Sequence, residues 1–264
     1  MRSLAYIESI DHQWTVTYLI PGLFWNRPHA AAMWRSFAGG SIGTARLFNA
    51  AKTPMLEAFA QPTMADHDLE GLMVQFLNIA LAHLRGEALD YLLTPAEIKR
   101  PLSSSPPGLR ANAIWQLWHV MGHAEGEPAD KSARWRQLVG PLFQEIWPPD
   151  AKFRDEHVSE NLVLLTLECG EAFEEAVNTV IDFIVPYQLY LIAHSLRLQK
   201  EHDALVRRFP RAALRLANAL INPTFYPVPN DLADFLQLCV DSDASVAVEA
   251  SYIRLFGLRR QQGA

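Results

Sequence analysis

The sequence predicts an all-α protein, and three observations carry that prediction. Apolar residues recur at intervals of three and four along several stretches, which places them on one face of a helix. Residues that start and stop helices flank these stretches. No alternation of strands with helices occurs along the chain. Among all-α architectures, we expect an irregular α-solenoid of stacked helix pairs, with a globular helical bundle as the alternative.

The predicted helices follow one another along the chain, and only residues 14–18 are equally compatible with an extended segment. Residues 68–86 are apolar on almost every side, which is typical of a helix packed between neighbours. Three later stretches each carry one apolar stripe, and Gly140-Pro141 is expected to kink the second of them. The stripes consist of Ile114, Leu117, Trp118 and Met121, then Trp135, Leu138, Val139, Leu142, Phe143 and Ile146, then Phe173, Ala176, Val177, Val180, Ile181 and Ile184.

Capping residues mark the ends of several predicted helices. Thr94-Pro95-Ala96-Glu97 has the form of a capping box, in which the threonine oxygen and the glutamate carboxylate accept from backbone amides at the helix start. The other predicted caps are Asp150 and Asn230 at helix starts, and Gly86, Gly122 and Gly257 at helix ends.

Length and composition limit the classes of protein to which the chain can belong. We predict one helical domain over residues 1–264, with a soft subdivision near the proline-rich connection 99–108. The formal charge of −6 argues against nonspecific attachment to nucleic acid or to an anionic membrane. Cys169 and Cys239 each lie in an apolar run and are predicted to be buried free thiols in a reducing cytosol.

The N-terminal part contains one apolar run, residues 14–25. The run is shorter than the roughly 20 apolar residues that cross a bilayer. Glu8 and Asp11 precede it where a secretory signal would be basic. We therefore expect a cytoplasmic protein with no membrane partner. Because the run would leave one end of a helical stack apolar, it is also a candidate docking surface, and homo-oligomers are compatible with it.

A literal G-x-S-x-G pattern covers residues 39–43 and makes Ser41 a candidate nucleophile. A serine hydrolase needs a buried strand that runs into this serine, so that a strained turn exposes the hydroxyl beside backbone donors. Residues 29–38 have helical spacing instead, and a pair such as Asp182 with His194 is no more than any long chain supplies. We interpret Ser41 as part of a glycine-rich corner between two helices and keep serine hydrolysis as an alternative.

The sequence indicates no metal centre and no cofactor. His119 and His123 lie four residues apart, a spacing at which two imidazoles on a helix can share a metal ion. Val120 occupies the position where a zinc protease carries its glutamate, so the two histidines are weak candidates only. The acidic group within residues 65–71 is explained by the helix dipole at a helix start. No phosphate-binding loop or dinucleotide motif is present.

A basic patch covers the stretch from residue 197 to residue 215, in an otherwise acidic chain. On a helix, Arg211 and Arg215 share one face, opposite Leu214 and Ala217. Such a patch could bind phosphates or an acidic partner, and a solvated helix face is the simpler alternative. No aromatic residues alternate with the arginines to stack on bases. The candidate binding residues are Arg207, Arg208, Arg211 and Arg215, with Arg197 and Lys200 before them.

Several segments between residues 90 and 258 resemble the C-terminal helical region of large bacterial proteins. In those proteins a similar region follows a sirtuin-like NAD-hydrolysing domain or an NTPase domain, often in anti-phage defence loci. The resemblance implies a sensing or scaffolding module, as a separate subunit or a split-off piece, and it carries over no catalytic residue. The segments are LTPAEIKRPL, AIWQLWHVM, RWRQLVGPLFQEIWPPD, CGEAFEEAVNTVIDFIVP and LVRRFPRAALRLANALINP.

No acid, base, nucleophile and oxyanion hole assemble from the sequence, so we predict that the chain is not an enzyme. The first hypothesis is a helical-repeat interaction module that binds a partner protein or effector subunit and regulates it. The alternatives are a serine hydrolase that uses Ser41 and a nucleic-acid-binding module that uses the patch from Arg207 to Arg215.

Overall fold

The protein is all-α, as predicted. The computed structural model describes residues 4–38, 40, 43–84, 86, 88–122, 128–188, 196, 203–222 and 228–262, and all regular secondary structure within them is helical. The α-helices are α1 (Leu4–Ile10), α2 (His12–Trp14), α3 (Ala30–Ala38), α4 (Ala45–Ala58), α5 (Asp66–Leu84), α6 (Pro95–Ser104), α7 (Pro107–Gly122), α8 (Pro128–Arg134), α9 (Gly140–Ile146), α10 (Glu156–Leu167), α11 (Phe173–Val180), α12 (Asp203–Arg208), α13 (Pro210–Leu220), α14 (Leu232–Ser242) and α15 (Ala250–Gln262).

Short helices of other types join several of these elements. Residues Thr15–Leu19 and Trp135–Val139 are π-helical, and the 3₁₀ segments are Ile20–Leu23, Ala151–Phe153, Gly170–Ala172, Ile181–Phe183 and Ala244–Val248. Residues 14–18, which the sequence left open, are therefore helical. Among the helices of the described ranges, none combines the length and the hydrophobicity that crossing a bilayer requires.

Backbone contacts group the chain into two units. The first contains residues 1–116 and 142–148, and the second contains residues 117–141 and 149–264. The stacked-pair arrangement and the single domain expected from the sequence stay predictions.

The core of the first unit is aromatic and is built around α3. Trp34 is fully buried, donates its indole N–H to the carbonyl of Leu23 at 2.8 Å, and meets the ring of Phe37 edge-on. Helices α3 and α5 approach each other closely at Gly71, where an added Cβ would lie 2.9 Å from the carbonyl oxygen of Ala38. Other fully buried aromatic side chains of this unit are Phe48, Phe59, Phe76 and Phe143.

In the second unit, α13 packs against α11, α12, α14 and α15. Its buried face alternates leucine with alanine, which lets neighbouring helices approach closely. Leu214 and Ala217 are buried and Arg211 is exposed, but Leu214 lies three residues from Arg211 and is therefore its neighbour on the helix surface, not its opposite as predicted.

The apolar stripes predicted from the sequence do form the core. Every residue named in the three stripes is buried except Trp118 and Ile181, which are partly exposed. A π-helical turn precedes Gly140-Pro141, and in it the Gly140 N–H donates to the carbonyl of Trp135; the kink itself stays a prediction. Pro141 has no N–H with which to continue the regular α-helical pattern.

Of the capping predictions at helix starts, the one for Thr94 is confirmed in full and the one for Asp150 in part. The Thr94 hydroxyl accepts from the Glu97 N–H at 3.3 Å, and the Glu97 carboxylate accepts from the Thr94 N–H at 2.9 Å, so the capping box is confirmed. Asp150 caps only a 3₁₀ turn. The prediction for Asn230 was wrong, because Asp231 occupies the cap position of α14.

Gly257 was also predicted wrongly, because α15 continues through it to Gln262. An added Cβ at Gly257 would meet no atom within 4 Å. We expect Gly257→Ala to raise the free energy of unfolding by about 0.5–1 kcal/mol, since glycine is a poor residue for a helix interior. Gly71→Ala should lower it by about 1–3 kcal/mol through overpacking. Urea unfolding followed by far-UV circular dichroism measures both, and destabilisation by Gly257→Ala would contradict the continuous helix.

Candidate functional site

The corner around the G-x-S-x-G pattern joins two helices. Ser41 itself lies outside the described residues, but α3 leads into the pattern and α4 leaves it. The Thr44 hydroxyl accepts from the Leu47 N–H at 3.2 Å and so caps α4. Gly43 has a φ of 80°, a conformation that favours glycine. A helix therefore occupies the place of the strand that a nucleophile elbow requires.

Next to this corner, a buried glutamate pairs with a partly exposed histidine that the sequence did not single out. Glu8 is only 4% exposed, and its carboxylate lies 2.9 Å from Nδ1 of His12 and accepts from the Thr44 hydroxyl at 3.0 Å. These bonds satisfy the carboxylate and fasten α1 to the start of α4. The four-residue interval between Glu8 and His12 was a signal that could have revealed the pair.

Of the candidate histidines, His119 lies within the described part of the chain, near the end of α7. The ring of His119 packs against the ring of Trp118, with centroids 4.9 Å apart. His123 and His194 lie outside the described residues. No group of three histidine, cysteine, aspartate or glutamate side chains in those residues is close enough together to hold a metal ion. Asp66 and Asp68 lie in the first turn of α5, as the helix dipole favours.

The structure places the four candidate arginines on α12 and α13, in the second unit. Arg208 forms an ion pair with Glu171, which precedes α11. Arg215 lies 3.1 Å from the Glu174 carboxylate and donates to the Asn178 side chain at 2.6 Å. Arg207 is exposed at the end of α12, and Arg197 and Lys200 lie outside the described residues.

Arg211 forms its contacts with a different part of the unit, the segment between α14 and α15 and its junction with α15. It donates to the Ser245 hydroxyl at 2.8 Å and lies 3.5 Å from Asp243 and 3.6 Å from Glu249. Hydrogen bonds from the side chain and backbone of Ser245 lower the pKa of Asp243, and Arg211 lowers it further. The acid therefore keeps its negative charge beside the arginine at neutral pH.

Basic side chains outside α12 and α13 also form ion pairs with acidic residues in and just before α11. Arg136 forms a bidentate pair with Glu175, and its guanidinium hydrogen bonds lower the pKa of that carboxyl. Lys131 lies 2.5 Å from Glu168. The sequence between residues 168 and 175 is thus an acidic strip held by basic side chains of the neighbouring elements.

Two of the arginines, Arg211 and Arg215, line a cleft of about 250 Å³ together with acidic side chains. Three of the four candidates, Arg208, Arg211 and Arg215, face four carboxylates, so the local charge is not positive. A phosphate would have to replace carboxylates that are already in place, which removes most of the electrostatic gain that drives nucleic-acid binding. The cleft is lined by Glu174, Arg211, Leu214, Arg215, Glu249 and Ser251.

The first unit carries a different exposed surface, made of large apolar side chains. Tyr6 and Ile10 on α1 are each 68% exposed, and Trp14 and Tyr18 on the next helical turns are 45% and 66% exposed. We call these four residues the N-terminal aromatic surface. The rings of Trp14 and Tyr18 lie 5.7 Å apart, and Asp11, in an extended conformation, separates them from the helix that carries Tyr6 and Ile10.

The helices that carry this surface also contain buried residues that anchor them to the first unit. Glu8, Thr15, Ile20 and Leu23 of the same segment are buried. Between α1 and α2, Asp11 caps α2 by accepting from the Trp14 N–H at 2.9 Å. The exposed residues thus lie on helices that also contribute residues to the core.

Comparison with known proteins identifies a distant relative. No family model matches the chain, and no solved structure matches it. Over 158 residues the chain is 28% identical to the uncharacterized protein y4cA of Sinorhizobium fredii (strain NBRC 101917 / NGR234). The match covers 60% of this chain and 13% of y4cA, so the chain corresponds to a small part of that protein's length.

Proposed function

We propose that the chain is a non-catalytic helical interaction module that binds a partner protein through the N-terminal aromatic surface. The observation that carries this proposal is the exposure of Tyr6 and Ile10 on α1 and of Trp14 and Tyr18 on the helices that follow it. Exposed apolar patches on folded proteins mark interaction sites, because leaving such surface in water is unfavourable. Tryptophan and tyrosine are also the residues that most often dominate interface energies.

The rest of the molecule supports a binding role rather than a chemical one. The buried core of each unit fixes the helices, and the arginine–carboxylate pairs bind the helices of the second unit to one another. A rigid helical framework presents a surface without losing much conformational entropy on binding.

The match to y4cA is consistent with a module. In that protein the similar region is joined to a much longer chain, as expected of a part that positions other domains. Together with the resemblance to helical regions of bacterial defence proteins, this extends the proposal to a scaffold that regulates an effector.

Affinity purification from the native host tests this proposal. The tagged wild-type chain should retain a protein in a fixed ratio, determined by light scattering and mass spectrometry. Trp14→Glu combined with Tyr18→Glu should lose it, because two charges would be buried against the partner. Leu89→Glu is the matched control, since Leu89 is 65% exposed in the same unit but outside the surface. Equal retention by both variants would contradict a role for this surface.

A further inference from the structure

We propose that the cleft between α11, α13 and the start of α15 binds a small zwitterion, a molecule with one carboxylate and one ammonium group, such as an α-amino acid. We call it the charged cleft. All of its lining residues belong to the second unit, so the site shares no residue with the N-terminal aromatic surface. The charges of the lining residues, their arrangement and the size of the cleft support this assignment.

The signs of the charges in the cleft select the ligand. Arg211 and Arg215 contribute two positive charges, and Glu174 and Glu249 contribute two negative charges, so the lining has no net charge. A ligand that is only anionic meets the two carboxylates, and a ligand that is only cationic meets the two guanidinium groups, so each is opposed by like charges. A ligand that carries both signs finds an opposite charge for each of its own.

Positive and negative groups lie side by side at two places in the cleft. Nη2 of Arg215 lies 3.1 Å from Oε1 of Glu174, and Nη1 of Arg211 lies 3.6 Å from Oε1 of Glu249. The two arginines are four residues apart on α13 and therefore share one face of it. Because an α-amino acid carries its carboxylate and its ammonium group on one carbon atom, it can contact an arginine and the neighbouring acid together.

Arg211 keeps N–H donors for the carboxylate of a ligand. A guanidinium has five such donors. Arg211 donates to the Ser245 hydroxyl at 2.8 Å, and its ion pairs with Asp243 and Glu249 are looser, at 3.5 and 3.6 Å. The side chains of Arg211 and Glu249 are 54% and 43% exposed, so a dissolved ligand reaches both. The carboxylate of the ligand thus gains charge-assisted hydrogen bonds, which are among the stronger ones in proteins.

The size of the cleft restricts the ligand to a small molecule. Its volume of about 250 Å³ is below the roughly 300–1,000 Å³ of pockets that hold drug-sized ligands. Leu214 supplies an apolar part of the lining for the carbon skeleton of the ligand, and Ser251, in the first turn of α15, supplies a hydroxyl group. A free amino acid matches this combination of size and chemistry.

Isothermal titration calorimetry of the purified chain at pH 7 and low salt tests the proposal. Each common L-α-amino acid is titrated separately to about 10 mM, and at least one should bind with a dissociation constant of about 1 mM or below. Its N-acetyl derivative lacks the ammonium charge, and its amide lacks the carboxylate. Each derivative should bind at least about 10-fold more weakly, because it loses a charge-assisted hydrogen bond.

Two variants locate the binding in the charged cleft. Arg211→Gln and Glu249→Gln should each weaken the binding of that amino acid at least about 10-fold. Arg259→Gln is the matched control and should bind as the wild type does, since Arg259 is an exposed arginine of α15 outside the lining. Circular dichroism checks that each variant keeps its helices.

Three results would overturn the proposal. They are no binding of any amino acid at about 10 mM, binding of a derivative as tight as that of its parent amino acid, and unchanged binding in both glutamine variants. The derivatives are tested on the wild type, so the proposal stays falsifiable if a variant unfolds. None of these results bears on the N-terminal aromatic surface, because the purification of a partner protein tests that surface separately.

Discussion

Trp34→Ala is expected to lower the free energy of unfolding by about 4–5 kcal/mol, because removal of a buried tryptophan side chain costs about 3–5 kcal/mol and loss of its hydrogen bond adds to this. The side chain is fully buried, lies parallel to the ring of Trp25 with centroids 6.3 Å apart, and bonds to the Leu23 carbonyl. Its removal leaves a cavity and a buried carbonyl without its donor. A loss of this size approaches the whole stability of an ordinary domain.

Urea unfolding followed by far-UV circular dichroism measures the effect. The variant Trp34→Phe separates the contribution of side-chain packing from that of the hydrogen bond. Phenylalanine fills most of the space but cannot donate to Leu23, so its cost should fall between those of the wild type and Trp34→Ala. Trp14→Ala is the matched control and should cost less than about 1 kcal/mol, because Trp14 is 45% exposed. Similar losses for Trp14→Ala and Trp34→Ala would contradict the difference in burial between the two side chains.

The sequence predicted those parts of the fold that depend on neighbouring residues. The apolar stripe beginning at Trp135 and the capping box at Thr94 involve partners three or four positions apart, so helical geometry alone determines them. Gly257 was misjudged because a glycine in a helix costs only about 1 kcal/mol, which the packing of α15 readily offsets.

The basic patch shows why the candidate site could not be predicted in the same way. Arg208 and its partner Glu171 are 37 residues apart, and Arg215 and Glu174 are 41 residues apart. The sequence therefore shows the arginines as a cluster of positive charge, whereas the packing of α11 against α13 brings the neutralising carboxylates to them.

Whether an aromatic residue lies on the surface or in the core is a question of burial. The helical spacing of apolar residues in the sequence does not determine the burial of any single residue. Trp14 and Trp34 both lie in helical segments beside other aromatic residues, yet the first is largely exposed and the second is fully buried. The sequence identified residues 14–25 as a docking candidate, but the helical conformation and the contribution of Tyr6 and Ile10 required the structure.

Cys239 is expected to react with a disulfide reagent such as DTNB about 1,000-fold more slowly in the folded protein than in the unfolded chain at pH 8. The thiol is fully buried in α14, and burial raises its pKa from 9.0 to about 12. Since only the thiolate attacks a disulfide, a pKa raised by about three units removes nearly all of the reactive form. Burial also raises the pKa of Cys169 well above the usual value, so both thiols should react only after unfolding.

The same pKa of Cys239 makes stability depend on pH in the alkaline range. Below pH 9 the thiol is protonated in both states, and its contribution to stability is fully present. As the pH rises from 9 towards 12, the unfolded chain loses the proton while the folded chain keeps it, so the free energy of unfolding falls, by about 1.4 kcal/mol at pH 10. The difference between the wild type and Cys239→Ala, measured by urea unfolding at pH 8 and pH 10, isolates this effect from other titrating groups. An identical pH dependence in the two proteins, or rapid labelling of folded wild type, would show that Cys239 is accessible to solvent.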